Sequence, residues 1–154
     1  MENKPNRIIW HHTADNSLGY QTQKVNAYHQ QRGFTQSSLG WYVGYHTFIE
    51  KDGKRINCRK DDEEGMHTLG YNLKSLGVCM AGNGDYEKPT FAQTLALKNY
   101  LIEKVKLYGI PRNKIQPHRI FNPDKTCYGK LLDNKWAENL LPEEARPLKE
   151  KDEE

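Results

Sequence analysis

The chain has 154 residues, of which 36% are hydrophobic and 28% charged, with a net charge of +3. That length suits one domain around one core, and the composition excludes a disordered polypeptide, while no apolar run approaches the ~20 residues of a membrane-spanning helix. The modestly basic body suits a polyanionic partner such as nucleic acid or a bacterial cell wall, but at this magnitude it reads first as a solubilising surface, and no arginine-rich stripe, zinc-finger spacing or aromatic RNA-binding box points to nucleic acid.

"MENKPNRIIW" has no positive region followed by a long apolar stretch, so no secretory signal is expected and the chain is expected to start in the cytoplasm. "RIIWHHT" (7–13) reads as a short strand, with β-branched and aromatic residues running into polar ones. "TQKVNAYHQQRG" (22–33) spaces Val25, Tyr28, His29 and Arg32 at helical intervals and stops at Gly33. "WYVGYHTFIEKDGKRINCRK" (41–60) reads as a hairpin of two alternating runs turned at Asp52-Gly53, with Tyr45 and His46 on opposite faces. "SLGVCMAG" (75–82) is a second buried strand. "TFAQ" at Thr90 is a capping box, and it opens a helix whose stripe runs through Phe91, Leu95, Ile102 and Val105 to Gly109. "KIQPH" (114–118) is a short strand leading into a loop, and "LLDNKWAENLL" (131–141) a closing amphipathic helix. Residues 142–154, with six acidic and three basic side chains, form a charged tail expected to be disordered. Helices interleave with strands, so the class is α/β: a single domain over residues 1–141, with a mixed central sheet flanked by helices.

The loop "QPHRIFNPDKTCYG" (116–129) sets His118, Lys125 and Cys127 within ten residues of each other. Two prolines rule out a regular helix there. Three cysteines do not make an even disulfide set, so reduced thiols are expected, with Cys79 a small hydrophobe in a buried strand and Cys58 on an alternating one. His11 and His12 end the first strand, where alternation allows only one of them to face a given side. Two imidazoles and a thiolate are ligands that zinc accepts, leaving a fourth position for water. Spacing cannot join them, since the two segments lie more than a hundred residues apart. Taken singly, each histidine reads as a hydrogen-bonded or solvent-facing residue before it reads as a ligand.

"IIWHHTAD", "GWYVGYHTFIEKDG", "GMHTLGYNLKSLGVCMAGN" and "PHRIFNPDKTCYG" follow one another over residues 8–129. Together they resemble the zinc-dependent N-acetylmuramoyl-L-alanine amidases of the amidase-2 type, a family that includes the peptidoglycan recognition proteins and the lysozyme-named amidases of T-odd coliphages. The resemblance implies one zinc per chain held by His11, His118 and Cys127, with His12 at the variable position. It implies Tyr45 and Lys125 as catalytic residues, and His67, Thr68 and Asn72, in "HTLGYN", as lining of the substrate groove. His29 and His46 match no functional position. The chain departs from the family pattern in "IFNPD" after "HR" and in Tyr128 after the cysteine, both beside the matched residues.

The implied activity is hydrolysis of the amide between N-acetylmuramic acid and L-alanine in peptidoglycan, by a monomer that acts as a phage lysis enzyme. Such an enzyme waits in the host cytoplasm and is released to the wall in the periplasm. Three alternatives stand beside it: a muropeptide-binding module without catalysis, a bacterial cell-wall recycling amidase, and a thiol hydrolase with Cys127 as nucleophile and His118 as base.

Overall fold

Ile8, Ile9 and Trp10 are three consecutive bulky apolar residues, all fully buried. Only a strand covered on both faces accommodates such a run. They form β1 (Ile8–His12) at the heart of a five-stranded sheet, in a computed structural model that describes residues 2–124 and 129–142. Chain order continues with α1 (Thr22–Gln31), β2 (Thr47–Ile49), β3 (Arg55–Asn57), β4 (Leu76–Met80), α2 (Phe91–Tyr108) and β5 (Ile115–Pro117). The strand order is β3-β2-β4-β1-β5. Every pairing is parallel except that of β2 with β3, so the sheet is mixed, as expected.

The two faces of the sheet carry separate cores. Ile8, Trp10, Leu76, Val78 and Met80 pack with Leu97, Tyr100, Leu101 and Val105 of α2. The alternate residue Cys79 packs on the other face with Phe48, Val43 and Cys58, and Val25 of α1 lies against them. Cys79 is thus the small hydrophobe expected of it. Cys58 is equally buried, but it follows β3 instead of belonging to it, and its backbone N–H bonds the His46 carbonyl.

The capping box of α2 is present in full: Thr90 accepts from the Gln93 N–H, and the Gln93 side chain accepts from the Thr90 N–H. The helix ends as expected at Gly109, in the left-handed region at φ 65°. Its apolar stripe is a correction. Phe91 and Leu95 are exposed, and Gln93 takes the inward place, with its Nε2 donating to the carbonyls of Ala81 (2.8 Å) and Ile49 (3.3 Å). A polar side chain wins that position because it satisfies carbonyls at the ends of two strands.

Two further expectations fail in length. The hairpin is only three residues a side, and Trp41–His46 lie outside any strand. There the Tyr42 N–H donates to Asn26 Oδ1 and the Gly44 N–H to His29 Nδ1, so side chains of α1 take bonds that a ladder would use. Residues 131–141 form turns and a single 3-10 turn (Glu138–Leu140) in place of a helix. Asp133 accepts the Lys135 N–H, a local bond that competes with helix formation. The segment still closes the α2 core through Leu132, Ala137 and Leu141, with Trp136 5.6 Å from Trp10. Of the tail, residues 143–154 lie outside the described residues.

One buried charge has no sequence signature. Glu50, fully buried at the end of β2, accepts from the backbone N–H groups of Gln21 and Thr22 and from the Thr22 hydroxyl. It caps the N-terminus of α1, where unpaired N–H groups and the helix dipole favour an anion. Glu50→Ala is expected to lower stability by about 2–3 kcal/mol, the scale of hydrogen bonds to a buried charge. Urea unfolding should show a lower midpoint at an unchanged slope.

Candidate active site

β1 and β5 run parallel, and their last paired residues are Trp10 and Pro117. His11 and His118 are the next residue on each, so the register brings side by side two histidines remote in sequence. Their ring centroids are 4.5 Å apart. Trp10 is turned into the α2 core, so alternation turns His11 to the opposite face. There it meets Tyr45 at 5.0 Å and His67 at 5.0 Å between centroids. These four rings lie in a cleft of about 580 Å³ that Thr68 and Asn72 also line.

His67 reaches this place because glycines let it. A Cβ on Gly77, the second residue of β4, would stand 2.5 Å from the His67 ring, and one on Gly65 would stand 2.6 Å from it. Both lie well inside van der Waals contact. The ring is bonded on both sides: Nδ1 lies 3.0 Å from His11 Nε2 and 2.9 Å from Thr68 Oγ1, and Nε2 lies 3.2 Å from Ser75 Oγ. Asn72 supports the segment from beneath, its Oδ1 accepting the N–H groups of both His67 and Thr68 at 2.8 Å.

Burial sets the charge state. His11 and His67 are held well below the ordinary histidine pKa, first by desolvation and then by neighbouring histidines. Both are therefore neutral imidazoles at pH 7, the form that offers a lone pair to a metal or a proton.

The remaining histidines divide as alternation and backbone needs dictate. His12 turns from the His11 face, its Nδ1 accepts the Gly84 N–H at 2.9 Å, and burial lowers its pKa to about 4. His29 and His46 bond the backbone: His29 accepts the Gly44 N–H at 2.9 Å, while His46 accepts the Gly77 N–H at 3.0 Å and donates to the Glu63 carbonyl at 2.7 Å. Lys125 and Cys127 lie outside the described residues. Among the described residues no three His, Cys, Asp or Glu side chains are grouped to hold a metal ion. The sequence also hid the cleft's other wall, formed by Arg32, Phe34 and Met66. One signal was available, since a glycine inside a buried strand such as Gly77 marks a close approach by another group.

Residues 1–130 match the family model described as N-acetylmuramoyl-L-alanine amidase. The chain is 33% identical to the endolysin of Klebsiella phage KP32 over 125 residues, covering 77% of this chain and 76% of that one. It is 34% identical over 104 residues to peptidoglycan-recognition protein SC2 of Drosophila melanogaster, of which it spans about half (53%). Among solved structures it resembles the N-acetylmuramoyl-L-alanine amidase LysC from Clostridium intestinale URNW, with a TM-score of 0.74 and 29% identity over 90% of this chain and 83% of that one. With most of its length matched, the chain belongs to the N-acetylmuramoyl-L-alanine amidase family.

Proposed function

We propose that this chain cuts the amide between N-acetylmuramic acid and L-alanine in peptidoglycan as a zinc-dependent phage lysis enzyme. The observation that carries the zinc reading is the His11–His118 pair. One imidazole stands near the end of β1 and the other just past the end of β5, with centroids 4.5 Å apart; His11 is held neutral, and both line one cleft. That donor chemistry fits a zinc ion, with Cys127, which follows β5 in the sequence, as the third ligand. A zinc ion held by these residues would supply a water of pKa about 7 and Lewis acidity toward the scissile carbonyl.

The chain's own groups do the rest. Tyr45, whose ring stands 5.0 Å from that of His11, presents a phenol that orients the attacking water or the carbonyl. The Lys125 ammonium neutralises the charge that develops on the carbonyl oxygen as the carbonyl carbon becomes tetrahedral. His67, Thr68 and Asn72 border the cleft where the muramyl-peptide lies. The protein works as a monomer, without inserting into a membrane. Among the described residues no helix is long and apolar enough to cross one. It gathers in the host cytoplasm and meets the wall once the inner membrane opens, a reading supported by its likeness to a phage protein named endolysin.

Digestion of purified sacculi tests the activity. Free stem peptides with L-alanine amino termini, beside intact glycan strands, are expected, and their release should stop with chelator and resume with zinc. New reducing sugar ends without alanine amino termini would instead show a glycosidase. Binding to sacculi with no release would show a recognition module, and release indifferent to chelator a thiol enzyme.

Metal analysis of His11→Ala, His118→Ala and Cys127→Ala should find most of the zinc lost in each. His12→Ala, His29→Ala and His46→Ala should retain it where they fold, since their ring nitrogens serve the backbone. Tyr45→Phe and Lys125→Ala should keep zinc and fold while turnover falls on the order of a hundredfold. Wild-type turnover in both would remove them from the reaction.

A further inference from the structure

The bonds around His67 determine where its ring proton sits. Ser75 Oγ lies 2.5 Å from the Tyr71 carbonyl oxygen and 3.2 Å from His67 Nε2. A carbonyl can only accept, so the Ser75 hydroxyl proton is committed to Tyr71 and the Ser75 oxygen accepts from His67. His67 therefore carries its proton on Nε2, and its Nδ1 is a bare lone pair. That lone pair faces His11 Nε2 at 3.0 Å and Thr68 Oγ1 at 2.9 Å. Two lone pairs would repel at 3.0 Å, so His11 Nε2 carries a hydrogen and donates it. A neutral imidazole has one such hydrogen, and His11 Nδ1 is left bare.

We propose that Ser75 is a positioning residue for the metal: through His67, its hydroxyl holds His11 in the tautomer whose Nδ1 is free to bind zinc. Histidine ligands in metal sites commonly donate their second N–H to a fixed acceptor, which orients the ring and sets the tautomer. Here the acceptor is itself an imidazole, which accepts at Nδ1 in only one of its two tautomers. A further group must choose between them, and Ser75 makes the choice from outside the cleft. It is 1% exposed, stands one residue before β4, and is not among the cleft-lining residues. Without its oxygen, the His67 proton is free to move to Nδ1. His67 would then donate to His11 Nε2, and the His11 proton would pass to Nδ1, the atom the metal needs.

This role rests on the zinc reading, and the test separates the two. Side-chain nitrogen NMR of the metal-free protein, with labelled histidine, should find His67 and His11 both protonated on Nε2. Ser75→Ala should give mixed tautomers at both rings. Competition with a chromophoric chelator should show zinc held tenfold to a hundredfold more weakly, the usual cost of losing a group that orients a ligand. A wild-type spectrum with His67 protonated on Nδ1 would overturn the role of Ser75 without recourse to any variant. So would Ser75→Ala with unchanged tautomers and unchanged zinc affinity. Wild-type protein with the expected tautomers that binds no zinc would overturn the zinc reading, and the role of Ser75 with it.

Discussion

The site depends on one register, the pairing of Trp10 on β1 with Pro117 on β5. A strand repeats every two residues, so a slip of one place would send His11 into the apolar core and bring Trp10 into the cleft. The register is held from the opposite face. Trp10 is fully buried beside Trp136 and the apolar side of α2, where an imidazole has no equivalent place. Packing on one side of the sheet thus fixes chemistry on the other.

Histidine has two occupations in this molecule, distinguished by what each ring nitrogen touches. His29 accepts the N–H of Gly44, outside any strand, and His46 accepts that of Gly77, inside β4 but before its pairing with β2 begins. In doing so they fix the bend that carries Tyr45 and the stretch of β4 against which His67 lies. His11 and His67 instead bond each other, in a cleft that the His29 ring also lines. All four are pushed toward the neutral form chiefly by burial. A neutral ring can be either scaffold or reagent, and position decides which.

Much of this was legible in the sequence. Local signals with a stereochemical cause held: the Thr90 capping box, the Gly109 stop and the two buried apolar strands. The α/β class and the mixed sheet followed from their order. Readings that needed tertiary knowledge did not hold. Gln93 displaced Phe91 and Leu95 from the core because two carbonyls awaited a donor there, which no periodicity records. The 131–141 segment has a helix's composition, but the Asp133 side chain spends itself on a local turn. Within the site, His11, His118, Tyr45, His67, Thr68 and Asn72 converge on one cleft, whereas Arg32 was read only as a helix position. Its place on the cleft wall depends on how α1 lies against the sheet, and a buried carboxylate 18 residues further along the chain, Glu50, anchors that helix's start.

The two core thiols impose no redox condition on the part of the fold they fill. Cys58 and Cys79 are both fully buried, and desolvation raises the Cys58 pKa to about 12. Oxidation and disulfide exchange proceed through a thiolate that a reagent can reach, and neither requirement is met at Cys58. Both residues fill space as small apolar groups. A change from reducing to oxidising surroundings therefore leaves this part of the core chemically untouched, and the sheet that carries the histidines needs no redox partner to keep its shape.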